Sequence, residues 1–202
     1  MGRYVTLTLH GIATFSRGFS ASQTTSVVRL RSQLNSKGDP KTDFVIVRSR
    51  EELQHAVDAR IDGVMVISND RVLPEIAEFP RLIGVPEKFN YLSDGDIIGF
   101  HPTSKRFRTL YRRTSKHNSF LVTDRCNHYC LMCSQPPKDV DDRWILDEIK
   151  AALPIIHKDT RSLGFTGGEP LLRVANPCWT GVNLSMYWPR AGTSYQRRPS
   201  TS

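Results

Sequence analysis

Three cysteines, Cys126, Cys130 and Cys133, lie in the run Asp124-Arg125-Cys126-Asn127-His128-Tyr129-Cys130-Leu131-Met132-Cys133. The C-x3-C-x2-C spacing gathers three thiols in one short loop, a span that closes ordinary disulfides poorly. Thiolate sulfur is a soft donor suited to zinc and to iron–sulfur clusters. Three such donors leave a four-coordinate centre one ligand short, and an open position is what a catalytic centre uses to admit a substrate or cofactor. In a [4Fe–4S] cluster held by three cysteines that vacancy sits on one iron. Downstream, Thr166-Gly167-Gly168-Glu169-Pro170 puts a glycine turn and a carboxylate at the end of a short apolar run. A glycine pair lets the backbone approach a ligand closely.

These loops need elements to hold them. Ser119-Phe120-Leu121-Val122-Thr123 reads as a strand that runs straight into the cysteine loop. Pro136-Pro137 stops regular structure just beyond it. Asp141 or Asp142 caps the next helix, along which Ile145, Leu146, Ile149, Ala152, Leu153 and Ile156 recur at helical spacing. Pro154 kinks or ends that helix. Leu163-Gly164-Phe165-Thr166 is the next strand, with Gly167-Gly168-Glu169 at its C-terminal end. The order strand, site loop, helix, strand, site loop is the opening of a β/α barrel, in which chemistry collects on the loops after the strands.

The preceding segment, residues 1–115, reads as a small accessory α+β domain. Strands are expected over 4–9 and 26–34, a turn at Gly38-Asp39-Pro40-Lys41, and buried-type strands at Phe44-Val45-Ile46-Val47 and Gly63-Val64-Met65-Val66-Ile67. Between the latter two, Ser49 and Glu52 fit a capping box, and the helix to about Arg60 turns Leu53, Ala56 and Val57 to one face. Tyr91 to Phe100 reads as a turn feeding a strand. Lys105 to Arg113 alternates, with Phe107, Thr109 and Tyr111 on one face, and forms its hairpin partner. His10, His55 and His101 stand alone in sequence and read as ordinary surface or core residues.

The chain has 202 residues, enough for a real core, with 39% hydrophobic and 24% charged residues. No apolar stretch approaches the ~20 residues of a membrane span. The net charge of +8 comes from the ends: +5 over residues 1–38 and +4 over 173–202, which leaves −1 for everything between. A nucleic-acid surface concentrates base around its working site, so a nucleic-acid partner is not expected. The chain's four cysteines are too few for a secreted disulfide scaffold, and three of them in one loop read as metal or cluster ligands in a reducing compartment. The acid-free start faintly resembles a transit peptide, and Met1-Gly2-Arg3-Tyr4-Val5-Thr6 fits a loose myristoylation pattern, but the alternation from Tyr4 to Leu9 is explained as well by a strand.

The cysteine run followed by Gly167-Gly168-Glu169 resembles the radical S-adenosylmethionine (radical SAM) enzymes. The resemblance implies that Cys126, Cys130 and Cys133 hold a [4Fe–4S] cluster. It implies that S-adenosylmethionine chelates the free iron and is cleaved by one electron to a 5′-deoxyadenosyl radical, which abstracts a substrate hydrogen. Gly167, Gly168 and Glu169 then receive the cofactor's methionine amino group. Met132 stands where the family usually has an aromatic residue near the adenine, and its apolar, polarizable side chain substitutes there. No further catalytic residue is assignable. The stretch from Asp94-Gly95-Asp96 through Leu110-Tyr111-Arg112 and Lys116-His117-Asn118-Ser119 to Met132-Cys133-Ser134-Gln135-Pro136-Pro137-Lys138 is similar to the C-type radical SAM maturases of His-Xaa-Ser repeat peptide-modification systems. The likeness spans roughly residues 1–172. It implies a cytoplasmic bacterial enzyme that modifies a ribosomally synthesised precursor peptide, served by an electron donor and accompanied by a second radical SAM maturase.

The expected fold class is therefore α/β: the accessory domain of residues 1–115, the first β/α units of a radical SAM barrel over 116–172, and an atypical tail over 173–202. A radical SAM core usually needs about six β/α units, fewer than a full barrel, so the resemblance implies that the barrel here is incomplete. From Arg173 to Ser202 there is no Lys, Asp or Glu and no regular period, as in an out-of-frame or truncated end that stays disordered. Two other readings compete. One is an inactive fragment that binds zinc through the three cysteines with His128 or Cys178 as fourth ligand. The other is a peptide-interaction module carried by residues 1–115.

Overall fold

The computed structural model describes residues 9–16, 19, 26–33, 39–68, 80–131, 133, 138–160 and 162–169. The expected strand over 4–9 falls outside them except for Leu9, and the whole tail 173–202 lies outside them, as do Met132, Pro136-Pro137 and Cys178. The fold is mixed α/β and sheet-dominated, with ten strands and two α-helices among the described residues. It divides into two compact units, Met1–Arg113 and Thr114–Ser202. Among the described residues no helix is long and apolar enough to cross a membrane.

The first unit holds eight strands: β1 (His10–Ile12), β2 (Thr14–Phe15), β3 (Ser26–Arg31), β4 (Asp43–Val47), β5 (Gly63–Ile67), β6 (Arg81–Val85), β7 (Ile97–His101) and β8 (Arg106–Tyr111). They form one mixed sheet in the order β1-β8-β7-β3-β4-β5-β6-β2. β1 and β2 are the halves of one short stretch broken at the buried Ala13. One half pairs antiparallel with β8, the other with β6, so the sheet closes on itself through this stretch. Closure removes sheet edges that would otherwise template aggregation.

The apolar runs of β4, β5 and β6 alternate at period two and are covered on both faces. Phe44, Ile46, Met65, Ile67, Ile83 and Val85 join the main core with Leu30, Phe89, Phe100 and Phe107. Val47, Val64 and Leu82 point the other way, against Ala56. Ala56 belongs to α1 (Arg50–Asp58), which links the parallel strands β4 and β5 as a βαβ unit. Ser49 caps α1 by accepting from the Glu52 N–H at 3.1 Å. The reciprocal bond is displaced by one residue, since Glu52 Oε2 accepts from the Arg48 N–H at 2.6 Å. Leu53 packs on the small core as expected, but Val57 is exposed. The hairpin β7–β8 also forms as expected, with a register shift between Ile97 and Ile98.

Asp96 sits fully buried in the turn before β7. Its Oδ1 accepts from the Arg113 N–H at 2.8 Å and its Oδ2 from the Ser93 N–H at 3.0 Å. Burial pushes its carboxyl above the ordinary value, and those two bonds and the nearby Arg112 guanidinium offset only part of that. The folded chain therefore holds this proton at a pH where the unfolded chain has lost it. The resulting stabilisation is complete below the unfolded value of ~3.9 and is lost as pH rises through the folded value. Unfolding free energies of the wild type and Asp96→Asn, compared from about pH 3.5 to about pH 7, should show the wild type losing ground as pH rises. A difference that stays flat or grows with pH contradicts this role.

The second unit contains β9 (Asn118–Thr123), α2 (Arg143–Ala152) and β10 (Leu163–Gly167). β10 lies parallel to β9, with Leu163 opposite Asn118 and Phe165 opposite Phe120. The rings of Phe120 and Phe165 stack with centroids 6.2 Å apart. α2 packs on β9, burying Ile145, Leu146, Ile149 and Ala152, the face expected from their spacing. It gives way to a single 3-10 turn at Leu153–Ile155, where Pro154 removes the donor that a further α-helical turn would need.

Candidate functional site

The two motif loops leave adjacent parallel strands at the same end. β9 delivers the chain to Asp124 and the cysteines, and β10 delivers Gly167, Gly168 and Glu169. The Gly168 N–H donates to the Thr123 carbonyl at 2.9 Å, and the Glu169 N–H to the Arg125 carbonyl at 2.8 Å. The second motif is thus bonded to the backbone that launches the first.

The cysteine loop is tied at its neck. Arg125 and Lys138 form an isolated bridge, and the Cys126 N–H donates to the Lys138 carbonyl at 3.4 Å. Salt bridges flank the neck, Arg125 to Asp139 at 2.9 Å and Lys138 to Asp124 at 3.8 Å. Both are exposed enough to contribute little energy individually. Within the loop the Cys133 N–H donates to the Cys130 carbonyl at 3.0 Å, and the His128 N–H to the Cys126 sulfur at 3.4 Å. None of the three cysteines forms a disulfide; Cys126 is half-buried, while Cys130 and Cys133 are exposed. Tyr129 and Leu131, on either side of Cys130, are also exposed.

Glu169 is three-quarters covered, and its Oε2 lies 3.3 Å from His128 Nε2. A side chain of one motif therefore meets a side chain of the other. The contact uses Nε2 of His128 and leaves Nδ1 to face a metal ion, the carboxylate–histidine–metal arrangement, so it does not decide against His128 as a zinc ligand. Cys178, the other fourth ligand considered for zinc, lies outside the described residues, as does Met132. Among the described residues no group of three or more His, Cys, Asp or Glu converges to hold a metal ion.

Sequence patterns missed the support beneath these loops. Asp142 stands at the N-cap position of α2 but makes no side-chain cap bond there. Its Oδ2 instead accepts from Thr123 Oγ1 at 2.7 Å and from the Asp124 N–H at 2.6 Å. Thr123 Oγ1 in turn accepts from the Arg125 N–H at 3.1 Å. The only hint in the sequence was the doubled carboxylate Asp141-Asp142, which supplies one more than a helix cap needs.

The chain matches no protein-family model, no curated protein and no solved structure.

Proposed function

We propose that the second unit is the start of a radical SAM core, in which Cys126, Cys130 and Cys133 would hold a [4Fe–4S] cluster and the Gly167-Gly168-Glu169 loop would receive S-adenosylmethionine. One observation carries this reading: the thiol loop and the Gly-Gly-Glu loop lie side by side at the C-terminal ends of two adjacent parallel strands. Ligands of parallel α/β sheets bind at that end. A closed zinc site through His128 would use Glu169 only to orient that ligand and leaves the glycine pair without a task.

The residues present suit such a group chemically. Three cysteines outside any disulfide supply soft donors, and three ligands would leave one iron of a [4Fe–4S] cluster open. Gly167 and Gly168 bring the backbone of the second loop against that of the first. Glu169 offers a carboxylate to an ammonium group and keeps it within reach of the cysteine loop through its bond to Arg125. When bound, the cluster supplies an open iron and one electron, the chemistry that cleaves the sulfonium of S-adenosylmethionine reductively. The broader assignment follows the sequence resemblance: a cytoplasmic peptide-modifying enzyme, working on a ribosomally made precursor with an electron donor and a second radical SAM maturase.

Anaerobic reconstitution with iron and sulfide tests the proposal. A brown protein with about four iron and about four sulfide per chain is the expected result. A colourless protein holding one zinc would turn the assignment to a metal-binding fragment. If residues 1–115 bound a peptide while cysteine substitutions changed nothing, the interaction-module reading would replace it.

A further inference from the structure

We infer that Asp142 is the positioning residue of the two-loop site, the group that sets Glu169 relative to the cysteines. The inference rests on the site reading above for its purpose, though not for its geometry. Asp142 is 2% exposed. Burying a carboxylate to that degree is costly unless hydrogen bonds offset it, and two of them converge on one of its oxygens. Here Oδ2 takes the Thr123 hydroxyl and the Asp124 N–H rather than capping α2. It thereby fixes the backbone of residues 123–125 as that stretch turns out of β9.

That same backbone provides the two carbonyls that dock the second loop. Thr123 accepts from Gly168 and Arg125 accepts from Glu169. Thr123 Oγ1 also takes the Arg125 N–H, so one hydroxyl joins the buried carboxylate to the residue that holds Glu169. The start of α2, the exit of β9 and the Gly-Gly-Glu loop are therefore linked through a single carboxylate. The bond lost in the helix cap is the cost of holding the site.

Amide hydrogen exchange on the full chain, metal-free and anaerobic, tests this with Asp142→Asn, Asp142→Ser, Thr123→Val and the double variant Asp142→Ser/Thr123→Val. Serine keeps a hydroxyl able to cap α2 but is too short to reproduce the carboxylate's reach. Exchange at Asp124, Gly168 and Glu169 should rise on the order of 10- to 100-fold in Asp142→Ser, with Ile149 and Ala152 in α2 still protected. Asp142→Asn, which retains an acceptor oxygen, should stay near the wild type. Thr123→Val should loosen Gly168 and Glu169 similarly, and the double variant should be no looser than Asp142→Ser alone. Unchanged exchange at Gly168 and Glu169 in Asp142→Ser overturns the inference, as does additive loosening in the double variant or equal loosening by Asn and Ser. A wild type that takes up no iron sinks the cluster reading instead, and leaves the exchange result to decide on Asp142.

Discussion

After anaerobic reconstitution, Cys126→Ala, Cys130→Ala and Cys133→Ala are each expected to lose the iron–sulfur absorbance, while Cys178→Ala and His128→Ala keep it. The expected loss is large. Removing a residue that only orients a metal ligand typically weakens binding about 10- to 100-fold, so deleting one of three direct ligands should exceed that. Cys130 and Cys133 are exposed, so their side chains add little to packing. Unfolding of the second unit rests instead on the α2–β9 face, where Ile145, Ile149 and Phe120 are buried. Circular dichroism should therefore be unchanged in the three loop variants, and iron and sulfide analysis should separate them from the wild type. If Cys178→Ala or His128→Ala abolished metal binding as completely, four ligands would be at work and zinc would be the metal to seek.

The elements beside the motifs were legible because their signals are local. Helical spacing of Ile145, Leu146 and Ile149 and the apolar run before Cys126 each specify an element within ten residues. The capping box at Ser49 was legible for the same reason, although Glu52 reaches back to Arg48 and not to Ser49. Closure of the first sheet was not legible. It depends on Ala13 joining halves that pair with β8 and β6, partners about 70 to 95 residues away that no local pattern names. β6 itself escaped notice, a short run interrupted by Gly84 directly after Pro80. The exposure of Val57 shows the limit of helical periodicity, which marks a face but not how far the neighbouring sheet extends over it. In the candidate site both loops were legible by composition. Their contact was not, since it runs through backbone groups of Thr123 and Arg125 whose side chains give no sign of it. Asp142 was hidden by its own plausibility as a helix cap.

Gly168→Ala should separate the two loops. A Cβ at this position would collide with the Arg125 carbonyl oxygen, lie 2.6 Å from its carbon and press on Cys126 Cβ at 3.0 Å. The obstacle is backbone, held by the Cys126 bond to Lys138 on one side and by Thr123 and Asp142 on the other, so it has little room to yield. Gly167→Ala meets a second constraint. Gly167 has φ near +141°, a region that side-chain-bearing residues rarely adopt, and its Cβ would run into the Thr123 carbonyl. Overpacking and backbone strain of this kind each cost about 1–3 kcal/mol. Gly167 sits at the end of β10, where that cost is met by breaking the bonds from Gly168 and Glu169 and not by unfolding α2. In Gly168→Ala the thiols remain, so iron uptake should persist while affinity for S-adenosylmethionine falls at least about 10-fold, the equivalent of ~1.4 kcal/mol. Isothermal titration of the reconstituted protein with S-adenosylmethionine measures that difference directly. Unaltered affinity in Gly168→Ala would mean that Glu169 does not act from the position its bond to Arg125 gives it, and the second loop would then have no part in holding the cofactor.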